Sequence, residues 1–221
     1  MINALRLAEK KIEDVKIVIN GAWAAGIAIC RFLQKAGAKG IYICNSKGLL
    51  YDGKEGLNPE QAAIAKVTNK ERIQGTLKDV MPGADVFIGV SGPNCVTKEM
   101  VASMNEKAIV FPLANPIPEI DPVLAKESGA YIVETGSSEY HPNQINNVLV
   151  FPGLFGGAID ADARTVNDDM MFAAAMGIAR CVQDDAEYIL PYAYDKRVHK
   201  CVAKTVKEAC IRTHATKADQ K

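Results

Sequence analysis

The chain has 221 residues, 48% hydrophobic and 24% charged. That balance suits a globular protein with one substantial core and excludes a chain too polar to fold. Its 26 basic residues match its 26 acidic ones for a formal net charge of zero, so neither a nucleic-acid partner nor an anionic membrane is expected.

The opening MINALRLAEKKIEDV sets apolar and charged residues at helical spacing. It has no apolar signal core or small-residue cleavage site, which predicts a cytoplasmic protein. Residues 15–20 form a continuous apolar strand and residues 22–36 a helix, with Gly37 placed to stop it. Arg31 closes this weakly charged stretch, and Asn20, Gly21 and Gly26 interrupt it, well short of the roughly 20 apolar residues of a spanning helix.

A second strand follows at 40–44, then the glycine-rich loop SKGLLYDGKEGLN. Asn58 and Pro59 supply an N-cap and a first-turn proline for a helix to about residue 67. A short helix at 76–81 ends at Pro82-Gly83, and residues 84–90 are again a short apolar run bounded by turn residues. Thr97 caps a helix over 98–104, residues 108–114 form a strand, Asp121-Pro122 starts a helix ending at Gly129, and residues 131–134 form a strand. After Gly136 come a polar loop, SSEYHPNQINN, an apolar VLVFPG, and helices at about 168–182 and 197–213.

Strands alternating with helices at this spacing imply an α/β fold, a Rossmann-like doubly wound parallel sheet with additional C-terminal helices. The whole of residues 1–221 reads as one domain, with the helices at about 168–213 packing back on the sheet. The six cysteines contain no C-x-x-C and the three histidines are dispersed. Free buried thiols are therefore expected, and no metal site.

In open parallel sheets ligands bind beyond the carboxyl ends of the strands. The residues there are Asn20 to Gly26, then Asn45-Ser46-Lys47, Ser91-Gly92-Pro93-Asn94, Asn115-Pro116 and Thr135-Gly136-Ser137. Each group alone is ordinary turn chemistry, but five in succession favour a polar cleft. Gly21-Ala22-Trp23-Ala24-Ala25-Gly26 follows the first strand as a dinucleotide fingerprint would. Trp23 stands where that fingerprint has a glycine that admits pyrophosphate.

The segments KKIEDVKIVINGAWAAGIAICRFL, GADVFIGVSGPN, FPLANPIPE and PNQINNVLVFPG resemble, in order, the C-terminal NAD(P)-binding domain of bacterial-type malic enzyme. The resemblance implies oxidation of malate by NAD or NADP, decarboxylation to pyruvate, a divalent Mg or Mn ion as Lewis acid, and a homodimer. By the same resemblance, Gly21, Ala22, Trp23, Ala24, Ala25 and Gly26 meet the pyrophosphate. Asn45 and Ser91 belong to the cofactor site, Asn115 lies on the nicotinamide side and Asn147 contacts substrate. The family's proton-transfer and metal-binding residues lie in an N-terminal domain outside this sequence. No catalytic or metal-binding residue is therefore assigned here, and malate or pyruvate would be met only together with that domain.

The sequence departs from the family at Trp23, where the pattern reads G-A-G-A-A-G, and at Asn45, where an Asp is common. Gly156 replaces a frequent arginine, and His141 is additional. Lys47, Asp52 and Glu139 read as solvated loop charges. A competing reading, favoured by Trp23, is a non-catalytic nucleotide-sensing or interaction module that keeps the fold. A complete small dehydrogenase of another kind would need His141 as its base.

Overall fold

The computed structural model describes residues 1–137, 144–182, 185, 188–192 and 194–220. Glu139 and His141 lie outside the described residues. The chain divides into two compact units, Ala4–His141 and a second made of Met1–Asn3 with Pro142–Lys221, where the sequence reading has one domain. Among the described residues no helix is long and apolar enough to cross a membrane.

Helix α1 (Ile2–Ala8) is followed in the larger unit by β1 (Lys16–Asn20), α2 (Ala24–Lys35), β2 (Gly40–Asn45) and β3 (Gly48–Leu49). Next come α3 (Pro59–Ala65), α4 (Leu77–Val80), β4 (Val86–Gly89), α5 (Lys98–Ala102), β5 (Ile109–Pro112), α6 (Pro122–Glu127) and β6 (Ile132–Val133). The sheet order is β3-β2-β1-β4-β5-β6. All neighbours are parallel except β2 and β3, which pair antiparallel. The direction of winding reverses between β1 and β4, and that switch point is where open α/β sheets bind ligands.

Ile17, Val18 and Ile19 are all fully buried, as are Ile41, Ile43, Phe87, Ile109 and Ile132. Consecutive burial, rather than alternation, is the mark of a parallel sheet covered on both faces. Each large side chain removed from water contributes about 1.5–3 kcal/mol. The caps read from sequence are present: Asn58 and Gln61 form a capping box on α3, and Thr97 and Asp121 accept from the first turns of α5 and α6.

At the opposite end of the strands, Asp85 fixes the start of β4. Its carboxyl accepts from the Lys16 N–H at 2.8 Å, the Lys10 ammonium at 2.6 Å and the Asn105 amide at 3.0 Å. Burial pushes this carboxyl up, but those bonds together hold it below its usual value.

The smaller unit contains α7 (Phe151–Asp160), α8 (Asp168–Ala179) and α9 (Lys196–Arg212). Its core gathers Leu154, Met170, Ala174, Ile178, Val198, Val202 and Val206. A Cβ on Gly153 would stand 2.5 Å from Val202 Cβ, and one on Gly157 2.3 Å from the Ala203 carbonyl oxygen. These glycines let α7 lie directly on α9. Sequence reading left α7 without an assignment because Pro152 and three glycines obscure it, yet Pro152 falls in the first turn, where its missing N–H costs nothing.

Candidate functional site

The β1–α2 turn is built around two glycines that no other residue can replace. Gly21 has φ +123°, and a Cβ there would lie 2.4 Å from the Val90 carbonyl oxygen. A Cβ on Gly26 would lie 1.8 Å from the Gly21 carbonyl oxygen. Between them Ala24 and Ala25 are exposed at the start of α2, whose first N–H groups have no partner within the helix. The Trp23 side chain, at the N-cap position, makes no capping hydrogen bond to that end.

Trp23 is the N-cap of α2, with φ −110° and ψ −166°. This is an extended backbone that any residue adopts, so glycine is not required there for conformation. The side chain is 70% exposed. With Ile27 and Arg31 of α2 and Asn58 and Glu60 of the α3 start, it lines a cavity of about 350 Å³.

Two buried side chains that sequence reading did not single out hold this edge together. Gln61 donates through Nε2 to the Ala22 carbonyl at 2.9 Å, tying the glycine turn to α3. Glu119 is fully buried. Its Oε1 accepts from the Ser91 N–H at 2.8 Å and the Ser91 hydroxyl at 3.3 Å, and its Oε2 accepts from the Ala114 N–H at 3.0 Å. Gly89 makes room for it, since a Cβ there would sit 2.3 Å from the Glu119 carboxyl carbon. The capping box was the available signal for Gln61. Nothing in the spacing of PIPE marks Glu119.

A polar line therefore crosses the carboxyl edge of the sheet. The Gly21 N–H donates to the Cys44 carbonyl at 2.9 Å. Asn20 donates through Nδ2 to Ser91 Oγ at 2.8 Å and to Cys95 Sγ at 3.2 Å, and Glu119 joins Ser91 to Ala114. Burial and the nearby Glu119 push the Cys95 thiol up, with hydrogen bonds from Ser91 and Asn20 opposing them.

Asn115, next along the chain, is exposed. Its amide nitrogen would be 2.9 Å from a Cβ on Gly136, so the glycine leaves that side chain its place. The Asn115-Pro116 peptide bond is cis. The structure thus brings together Gly21 to Gly26, Ser91 and the Ala114–Asn115 segment.

Asn45, at the end of β2, caps its own turn, with Oδ1 accepting from the Lys47 N–H at 2.8 Å. Lys47 is exposed, and Asp52 forms an exposed ion pair with Arg72 at 2.6 Å. Asn147 belongs to the smaller unit, exposed in a 3₁₀ turn at Asn147–Leu149. Asn146 Oδ1 accepts from the Val148 N–H at 3.0 Å, and His199 Nε2 lies 3.2 Å from the Val148 carbonyl oxygen. Among the described residues no three His, Cys, Asp or Glu side chains gather in a way that could hold a metal ion.

Residues 1–211 match the family model described as "Malic enzyme, NAD binding domain". The bifunctional malic/malolactic enzyme of Bacillus subtilis is 48% identical over 96% of this chain and 53% of its own length. The NADP-dependent malic enzyme of Escherichia coli is 40% identical over 96% of this chain and 30% of its own. The crystal structure of malic enzyme from Pyrococcus horikoshii superposes with a TM-score of 0.93 at 39% identity, covering 98% of this chain and 52% of that one. The chain thus spans about half the length of the first of these relatives and less of the second. A doubly wound sheet with its glycine turn at the switch point is what such a domain requires, and the chain belongs to the malic enzyme family as its NAD-binding domain.

Proposed function

We propose that this chain is the dinucleotide-binding part of a cytoplasmic, homodimeric enzyme that oxidises malate and decarboxylates it to pyruvate while reducing NAD or NADP. The observation that carries the reading is the polar line from Gly21 through Asn20, Ser91 and Glu119 to Ala114, which lies across the switch point of the sheet. Proton transfer and the Mg or Mn ion are assigned to the part of the family's chain that these 221 residues do not span.

The residues present fit a dinucleotide. Gly21 and Gly26 bring the start of α2 against β1, so the N–H groups of Ala24, Ala25 and Gly26 offer an anion site for pyrophosphate. Ala22 and Trp23 complete that turn. Asn45 faces the adenosine ribose, and Ser91 lines the cleft beside β4. Asn115 presents a neutral amide that both donates and accepts, suited to a carboxamide. Asn147 offers the same chemistry to a substrate carboxylate, its turn held by Asn146 and His199. The bound dinucleotide would supply the hydride acceptor, while Asn45, Ser91 and Asn115 of the larger unit orient it and add no competing charge.

The 221 residues alone are expected to bind NADH but not to oxidise malate at any Mg or Mn concentration. Malate-dependent reduction of NAD or NADP by chain verified free of host enzyme would show the division of labour to be wrong. No binding of either dinucleotide, even with Trp23 replaced by glycine, would favour the non-catalytic module instead.

Trp23 places a Cβ and a largely exposed indole at the N-cap, where pyrophosphate approaches. Trp23→Gly is expected to tighten NADH binding at least tenfold, or about 1.4 kcal/mol. Calorimetric titration of both proteins checks this, and equal affinities would mean that the indole stays on the flank of α2.

Asn45 imposes no charge on a ribose 2′-phosphate, and Lys47 adds a weak attraction, so a mild lean toward NADP is expected. Asn45→Asp keeps an oxygen for the Lys47 N–H while adding a negative charge. At roughly 1 kcal/mol for like charges in water, the NAD to NADP affinity ratio should rise about fivefold. The comparison belongs in the Trp23→Gly background, and an unchanged ratio there would remove Asn45 from the ribose site.

A further inference from the structure

All six cysteines are unbridged in this structure, and three of them, Cys30, Cys44 and Cys210, are buried. Cys95, Cys181 and Cys201 are half-buried, and the last two come from different elements of the smaller unit, Cys181 just beyond α8 and Cys201 in α9. Their sulfurs converge on one acceptor: Cys181 Sγ donates to the Gly177 carbonyl at 3.2 Å and Cys201 Sγ to the same carbonyl at 3.3 Å.

The convergence is built into the helix seam. A Cβ on Gly177 would meet Thr205 Oγ1 at 2.8 Å and Val202 Cα at 3.2 Å, so only a glycine lets α8 approach the α9 backbone this closely. Cys201 precedes Val202 and therefore reaches the last turn of α8, over which the Cys181 side chain folds back.

We propose that Cys181 and Cys201 form a dithiol modification site, oxidised to an intramolecular disulfide by low-molecular-weight disulfides and captured by trivalent arsenicals. Two thiols held on a single carbonyl oxygen lie on the same side of one helix turn, where side-chain rotation can turn each sulfur toward the other. In the oxidation, one thiolate attacks the reagent disulfide, forming a mixed disulfide and releasing one reagent thiol. The second cysteine then attacks the protein sulfur and releases the other. Two electrons pass to the reagent, and the two protons lost by the cysteines end on the released thiols. With an arsenoxide there is no redox change, since two As–S bonds form and the arsenic-bound oxygen leaves as water with both thiol protons.

Burial, Cys201 and Asp195 push the Cys181 thiol up to about 11, against the pull of Arg197. Cys181 therefore rests as a thiol at neutral pH, and its oxidation is slow unless the pH is raised. No third His, Cys, Asp or Glu joins the pair among the described residues, which sets the site apart from a metal centre.

The test uses the full chain at pH 8 with oxidised glutathione, followed by alkylation, proteolysis and mass spectrometry. The expected product has lost two hydrogens and contains a peptide joining Cys181 to Cys201, the other four cysteines being alkylated after unfolding. Cys201→Ser should instead retain glutathione on Cys181. Phenylarsine oxide should bind one per chain and lose at least tenfold in affinity in either single serine variant. Stable glutathione adducts on wild-type protein without the joined peptide, joining to any other cysteine, or arsenical binding that survives both serine variants would overturn the proposal.

Discussion

Gly26→Ala is expected to abolish dinucleotide binding and to lower stability by at least about 3 kcal/mol, the upper range for overpacking of a close contact. The added Cβ would lie 1.8 Å from the Gly21 carbonyl oxygen and 3.0 Å from its carbon, and both are backbone atoms with no rotamer to escape into. Relief requires α2 to move off β1. That carries the N–H groups of Ala24 and Ala25 away from the cleft and strains the Gln61 bond to the Ala22 carbonyl. Stability and binding should therefore fall together. Ala24→Ser, at an exposed position of the same turn, is the control expected to change stability by under about 0.5 kcal/mol. Urea denaturation and NADH titration of the three proteins decide the matter, and a Gly26→Ala protein with both properties intact would show that the turn relaxes in some other way.

The glycine turn was legible in sequence because the need for it is local: a short apolar strand, two glycines five residues apart, and a helix. The caps at Asn58, Thr97 and Asp121 were legible for the same reason, each acting within three residues. The antiparallel β3 was not, because Gly48–Leu49 is two residues long and gains its place by pairing with β2 rather than by any pattern of its own. Nor was α7. Its glycines depress helix propensity and are tolerated because Gly153 and Gly157 lie against α9, a reason found 45 to 50 residues away in the chain. The site divides along the same line. Positions that end strands were found by asking where strands end, whereas Gln61 and Glu119 act on backbone groups 39 and 28 residues distant, and single-sequence spacing carries no trace of that.

Glu119 supports the second large prediction. Glu119→Ala should destabilise the protein by about 2–5 kcal/mol, because the Ser91 and Ala114 N–H groups would lose their acceptors at roughly 1–3 kcal/mol each when shielded from water. NADH affinity should drop at least tenfold as well, since Ser91 and the segment leading to Asn115 would no longer be joined across the cleft. Glu119→Gln keeps one oxygen and turns an amide N–H₂ toward the other donor, so it should fall between wild type and alanine. The contact with Gly89 separates this from a general loss of packing. In the wild type, Gly89→Ala sets a Cβ 2.3 Å from the Glu119 carboxyl carbon and should be strongly destabilising. In the Glu119→Ala protein that space is vacant, and adding Gly89→Ala should cost little further. The double-mutant cycle should therefore show a coupling of about 2 kcal/mol. Additive effects of the two substitutions, or an unchanged NADH affinity in Glu119→Ala, would mean that Glu119 fills space at the edge of the sheet without positioning the residues on either side of the cleft.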